Sequence, residues 1–163
     1  MQTMTTRNRV VLTVYAHPLA SDDKRTLAAL HGLERALPGL RLEWRVTEKR
    51  RLAVLPQRDA WLTEATTRGE FPLVCNGDER YPVMISGHHE SAYVSPGGRP
   101  QLQVQAKLPL DAAVIAAAAE MLEGVAEGAR AFWGHLTPDA AALDIAYQIA
   151  PTLQGPPLSR SGE

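Results

Sequence analysis

The densest group of potential metal ligands in the sequence is the consecutive triplet His88, His89 and Glu90. A catalytic zinc site on a helix places two ligands about four residues apart on one face, whereas adjacent histidines on a strand point to opposite sides. The other histidines are isolated: His17, His31 and His135. We therefore predict no metal site and interpret the triplet as part of a polar loop.

Cysteine and serine, two residue types that act as nucleophiles, lack the neighbours that catalysis requires. Cys75 ends the apolar run Phe71–Cys75, and this position favours a buried small side chain over a reactive thiolate. An exposed catalytic serine needs a small-x-Ser-x-Gly elbow between a strand and a helix, and Ser86–Gly87 is more simply the end of a strand. Gly97–Gly98 precedes an alternating strand, which predicts a turn and not a phosphate loop.

One enzymatic hypothesis is a divergent metal-dependent nuclease of the restriction-endonuclease type. Such cores use carboxylates on one strand to hold Mg²⁺, and a triplet of acid or Gln, any residue, and Lys on the next strand to position the attacking water. Gln105-Ala106-Lys107 matches this triplet loosely, and Asp78 would supply the acid. However, the triplet has no carboxylate and Asp78 lies in a predicted turn. We expect no catalytic residues and no cofactor, and keep the nuclease as an alternative.

The composition is that of an ordinary folded protein with little net charge. The chain has 163 residues, of which 45% are hydrophobic and 21% are charged, and its net charge is -1. This length predicts one domain, which we place at residues 1–150, followed by a flexible tail at residues 151–163. Without a basic field, neither nucleic acid nor a membrane surface is an expected partner.

The start of the chain lacks the features of a secretion signal. Residues 1–9 are mostly polar and lead directly into a strand-like run, with no apolar stretch and no small-residue cleavage site. Cys75 is the single cysteine, so no internal disulfide forms. We therefore expect a cytoplasmic protein.

Alternation of apolar and polar residues predicts the strands. The clearest cases are residues 10–15, 40–47 and 101–108. Two further apolar runs, 71–75 and 81–85, bracket Asn76-Gly77-Asp78, whose residues tolerate the positive φ angles of a tight reversal, so they predict a hairpin. A second turn is predicted at residues 95–98.

Apolar residues at helical spacing predict the helices. A first helix carries Leu27 to Leu37, and a second covers residues 58–67. A long Ala-rich helix runs from Asp111 to about Trp133, and a final helix covers 140–149. Along the long helix a stripe of small residues favours close packing against the sheet: Ala113, Ala117, Gly124 and Gly128.

The order of these elements predicts the fold class. Strands and helices do not alternate as regular parallel units, and a block of antiparallel strands separates the early helices from the late ones. We predict an α+β fold with one mainly antiparallel sheet and helices packed on one face.

Four stretches of the sequence resemble a known group of proteins. They are residues 11–16, 33–44, 71–79 and 130–135, where an aromatic-Trp-Gly sequence is expected at the end of the long helix. Together they resemble a lineage-restricted family from myxobacteria that is similar to the immunity protein 52 family of polymorphic toxin systems. The resemblance covers roughly residues 10–150.

This resemblance implies an intracellular protein that binds and blocks a cognate toxin of restriction-endonuclease fold without any catalysis of its own. We expect Asp78, Glu79 and Glu90 to form the toxin-binding surface, opposing the basic DNA-binding cleft of the toxin with negative charge. A domain that binds a small regulatory ligand between sheet and helices stays an alternative. The sequence leaves open whether the chain forms a homodimer.

Overall fold

The structure, a computed structural model, describes residues 8–93 and 98–138. Its elements in chain order are β1 (Arg9–Ala16), α1 (Arg25–Ala36), β2 (Trp44–Val46), β3 (Leu52–Val54), α2 (Arg58–Thr67), β4 (Phe71–Cys75), β5 (Met84–Glu90), β6 (Gln101–Pro109), α3 (Ala112–Ala116), α4 (Ala118–Ala129) and β7 (Trp133–Pro138). The strands form one sheet with the order β3-β2-β4-β5-β6-β1-β7. The predicted α+β fold with an antiparallel sheet is confirmed.

The first strand lies between two strands from the second half of the chain. β1 pairs with β6 from Arg9 opposite Pro109 to Ala16 opposite Leu102. On its other side, β1 pairs with β7 from Val10 opposite Pro138 to Tyr15 opposite Trp133. Both pairings are antiparallel. They align the side chains of four neighbouring strands, β5, β6, β1 and β7, into rows that cross the sheet.

Alternate residues of the strands divide the sheet into two faces. On β1, the residues at even positions from Val10 to Ala16 are at most 1% exposed. They form one core with Leu30 and Leu33 of α1 and with Met121 and Val125 of α4. The helices therefore cover this face, which we call the core face. We call the opposite side of β5, β6, β1 and β7 the polar face.

The helices α1 and α4 pack with their backbones in contact. A Cβ atom added at Gly32 would lie 2.2 Å from the carbonyl oxygen of Gly124, and one added at Gly128 would lie 2.4 Å from the backbone of Ala28. The close packing predicted for Gly124 and Gly128 is confirmed, but the partner is α1 and not the sheet. Ala113 does not belong to this contact because it lies exposed on α3.

The predicted long helix is wrong in two places. It is interrupted at Ala117, which ends α3 and precedes α4. It then ends at Ala129, because Arg130 adopts a left-handed conformation with φ 51°. Trp133, expected at the end of the helix, instead begins β7. Pairing with β1 satisfies the backbone groups of this segment, and that contact is not visible in helical periodicity.

The hairpin after α2 is confirmed, but its second strand is shifted. Gly77 has φ +74°, as the predicted reversal requires. The strand expected at residues 81–85 occupies Met84–Glu90. Therefore His88 and His89 lie on a strand and not in a loop, and Ser86–Gly87 lies inside it and not at its end. A Cβ added at Gly87 would lie 3.0 Å from the Phe71 side chain, so a larger residue there would require Phe71 to shift.

Two of the remaining sequence predictions, the second helix and the buried cysteine, are confirmed. The second helix covers residues 58–67 as predicted, and Cys75 is buried. The strand predicted at residues 40–47 is shorter, Trp44–Val46, with Val46 exposed. Within the described residues, no helix is long and apolar enough to cross a membrane. The predicted helix at 140–149, the tail at 151–163 and most of the turn at 95–98 lie outside the described residues.

Candidate functional site

The polar face carries rings, amides and a carboxylate in ordered rows. The strand register places four residues in each row, one from each of β7, β1, β6 and β5. The first row is Trp133, Tyr15, Gln103 and His88; the second is His135, Thr13, Gln105 and Ser86; the third is Thr137, Val11, Lys107 and Met84. Beyond the first row, Gln101 lies opposite Glu90.

An aromatic cluster occupies the β1–β7 side of this face. Tyr15 and Trp133 are directly opposite in the register, and their rings stack with centroids 5.3 Å apart and an interplanar angle of 29°. The Trp133 and His135 rings are 5.1 Å apart. Trp133 nevertheless stays 58% exposed, as does Phe132 beside it. Cross-strand aromatic pairs stabilise a sheet, and here the pair also leaves a large apolar ring in solvent.

Glu90 lies on the other side of the polar face, at the end of β5. Its side chain is 22% exposed, and its Oε2 lies 3.7 Å from Nε2 of His88. The Gln101 amide donates to Oε1 of Glu90 at 3.2 Å. Burial first, and then the negative charge of Glu90, raise the pKa of the Tyr15 hydroxyl. The carboxylate is therefore close enough to the aromatic cluster to act on it electrostatically.

Two other partly buried carboxylates are each paired with an arginine. Asp23 lies 2.7 Å from the Arg25 guanidinium, which also donates to the carbonyl oxygen of Ala129 at the end of α4. Hydrogen bonds from Arg25 are the largest of several effects that lower the pKa of Asp23 to about 2. Glu34 lies 2.9 Å from Arg58. In the described parts of the chain, no lysine or arginine forms such a pair with Glu90.

The three acidic residues predicted to bind a toxin do not lie together. Asp78 and Glu79 are exposed in the loop between β4 and β5, whereas Glu90 ends β5, a strand of seven residues. A strand of that length separates its ends by about 20 Å. Asp78 also orders its own loop, since its carboxylate accepts a hydrogen bond from the Arg80 N–H at 2.9 Å.

The side chains considered for metal or nuclease chemistry are distributed over both faces. His88 lies on the polar face, while the Nε2 of His89, on the opposite side, accepts a hydrogen bond from the Leu19 N–H at 3.1 Å. Gln105 and Lys107 lie on the polar face and Ala106 between them is buried in the core. Across residues 8–93 and 98–138, no three His, Cys, Asp or Glu side chains are placed to hold a metal ion.

Sequence reasoning missed the aromatic cluster because it assigned Trp133 to a helix. The alternation along β1 did indicate a second face of the sheet, since Tyr15 and Thr13 alternate with the apolar residues of that strand. Its neighbours on the face come from β7, whose pairing with β1 spans most of the chain. No local pattern contains that information.

Comparison with known families places the chain in one of them. The model of a domain of unknown function, DUF5953, matches residues 21–162. Because this match covers most of the chain, the protein belongs to the DUF5953 family. A search of curated proteins found no match.

Proposed function

We propose that this member of the DUF5953 family is a cytoplasmic immunity protein. It binds a cognate polymorphic toxin through the polar face and neutralises it without catalysis. The toxin is a nuclease of restriction-endonuclease fold, as the resemblance to immunity protein 52 implies. The observation that carries the proposal is the exposure of Trp133, whose ring stacks on the ring of Tyr15.

The composition of the polar face favours a protein partner. Tryptophan, tyrosine and arginine dominate the energetics of protein interfaces because they bury a large area at a low entropic cost. An exposed aromatic surface surrounded by polar side chains is the arrangement that such interfaces use. The amides of Gln103 and Gln105, which lie on β6 in the first and second rows, add donors and acceptors beside the rings.

The size of the face suggests how far the interface extends. Strands lie about 4.8 Å apart and alternate residues about 6.8 Å apart, so three rows across four strands cover a few hundred Å². A stable interface covers about 800 Å² on each partner. A toxin centred on the polar face would therefore also reach its edges, where Phe132 lies on one side and Glu90 on another. Asp78 and Glu79 would then lie at the rim.

The test begins with capture of the partner. The tagged chain is used to retain proteins from its native lysate, and retained polypeptides are identified by mass spectrometry. The proposal expects a polypeptide with a nuclease domain. The purified chain should then abolish plasmid cleavage by that domain at an equimolar ratio.

Matched variants connect this inhibition to the polar face. Trp133→Ala should require a large excess over the nuclease to inhibit it. Ile115→Ala should inhibit like the unchanged chain, because Ile115 is also a large apolar side chain and 60% exposed but lies on α3 and not on the polar face. Mg²⁺-dependent DNA cleavage by the chain alone, or a co-purifying small molecule with no nuclease captured, would overturn the proposal in favour of an alternative function.

A further inference from the structure

A carboxylate that contacts no described arginine or lysine lies on the same face of the sheet as the stacked rings of Tyr15 and Trp133. Glu90 is three-quarters buried but, unlike Asp23 and Glu34, it contacts no arginine or lysine among the described residues. Gln101 donates to its Oε1, and Nε2 of His88 lies 3.7 Å from its Oε2, but an ionised carboxylate has about four acceptor positions. Glu90 therefore retains the capacity to accept further charged donors.

The rings supply the second half of a cation site. A cation placed over a tryptophan or tyrosine ring is attracted to its negative face, most strongly where the site excludes water. Gln103 lies between Tyr15 and His88 in the first row, and Glu90 lies beyond His88 on the same strand. The register places Glu90 diagonally across the sheet from Tyr15, so that a guanidinium over the Tyr15 ring would face the carboxylate.

We infer that Tyr15, Trp133 and Glu90 together accept an arginine side chain of the partner. The inference rests on the proposed function, because it states the chemistry by which that partner is recognised. The planar guanidinium stacks on aromatic rings and donates two parallel hydrogen bonds to a carboxylate, whereas a lysine ammonium is a compact, strongly hydrated charge. A nuclease that holds DNA by its phosphates has basic side chains in its cleft. An arginine of that cleft bound to Glu90 could no longer bind a DNA phosphate.

The direct test uses short peptides and the full chain. The indole N–H signal of Trp133 is followed by NMR, with its assignment made by the Trp133→Phe variant. The probes are blocked Gly-Arg-Gly, the same peptide with citrulline, which is neutral and nearly isosteric, and Gly-Lys-Gly. The arginine peptide should shift the signal in a saturable manner and bind at least about fivefold more tightly than the citrulline peptide.

Two isosteric variants assign the effect to Glu90. Glu90→Gln should lower the affinity for the arginine peptide to that of the citrulline peptide. Glu79→Gln removes an equal charge from an exposed loop and should leave the affinity unchanged. Melting temperatures establish that both variants are folded. Equal shifts with the arginine and citrulline peptides, or no saturable shift up to tens of millimolar peptide, would overturn the inference.

Toxin binding distinguishes failure of this inference from failure of the proposed function. If the nuclease is captured and inhibited, and Glu90→Gln binds it with an unchanged Kd, the arginine site is wrong and the proposed function stands. If no nuclease is captured but the arginine peptide binds as expected, the arginine site stands and the toxin assignment is wrong.

Discussion

The core face and the polar face are built from alternate residues of the same strands, and they differ in how closely they are packed. On the core face, β1 presents side chains at most 1% exposed, and the helices above it approach until Gly32 and Gly124 have no space for a methyl group. On the polar face, Trp133 remains 58% exposed, and Glu90 has no described arginine or lysine partner. Folding stability is therefore concentrated on one side, which leaves the residues on the other side available for binding.

The largest effect expected from this comparison is on the α1–α4 contact. In an exposed helix, Gly→Ala stabilises by about 0.5–1 kcal/mol. Gly32→Ala should instead destabilise by about 2–3 kcal/mol, since its Cβ must displace the Gly124 carbonyl. Urea denaturation measures this difference. Ala119→Leu adds more volume to an exposed position of α4 and should change stability by less than about 0.5 kcal/mol. A stabilising Gly32→Ala would contradict the close contact.

The next largest effect is the pH dependence of stability that arises from Asp23, which pairs with Arg25 beside the end of α4. The pKa of Asp23 is lowered from 3.8 to about 2. A lowered folded-state pKa means that the ionised carboxylate stabilises the fold above pH 4, and that this contribution disappears as the pH falls through about 2. It amounts to at most about 2 kcal/mol.

Acid titration of stability tests this expectation. The free energy of unfolding of Asp23→Asn should approach that of the unchanged chain as the pH falls from 5 to 2. The adjacent and exposed Asp22 provides the control at pH 7, where Asp22→Asn, a surface substitution, should change stability by less than about 0.5 kcal/mol. A difference for Asp23→Asn that is constant over this range would show that ionisation of Asp23 is not linked to folding.

On the polar face, the expected effect is on binding rather than stability. Trp133→Ala should weaken binding of the captured nuclease at least about tenfold, as loss of an aromatic anchor does at a protein interface. Its free energy of unfolding should fall by about 1 kcal/mol or less, the value of one aromatic pair. Calorimetric titration and urea denaturation of the same sample provide both numbers. A loss of unfolding free energy well above about 1 kcal/mol, with the Kd changed by less than about tenfold, would mean that the two faces are not functionally distinct.

The smallest effect on nuclease binding is expected from Asp78 and Glu79, at the rim of the proposed interface. The double variant Asp78→Asn with Glu79→Gln should change the Kd for the nuclease by less than about threefold, because rim charges act mainly on association. The association rate should fall and become less sensitive to salt, which stopped-flow mixing at two ionic strengths measures. A tenfold rise in Kd would place these acidic residues at the centre of the interface, as the sequence alone had suggested.

The sequence predicted those parts of the fold that depend on local pattern. The alternation in β1 and β6, the helix at Arg58–Thr67 and the reversal at Gly77 were all visible in short windows. β5 covers Met84–Glu90 and not residues 81–85 because of its register with β6. Glu90 therefore lies at the far end of a strand from the loop that contains Asp78. Likewise, β7 becomes a strand through its contact with β1, so the ring pair on the polar face could not be predicted from spacing.

The position of β1 also governs when the protein becomes functional during synthesis. Tyr15 is among the first described residues to be translated, but its ring partner Trp133 lies on the last described strand. At about 5–20 residues per second, roughly 6–25 s pass between completion of these two strands on the ribosome. Throughout that interval β1 lacks β7, one of its two neighbouring strands, although α1 and later β6 are already translated. A nascent chain therefore has no assembled polar face, and the partner binding proposed for this face would begin only after translation of β7.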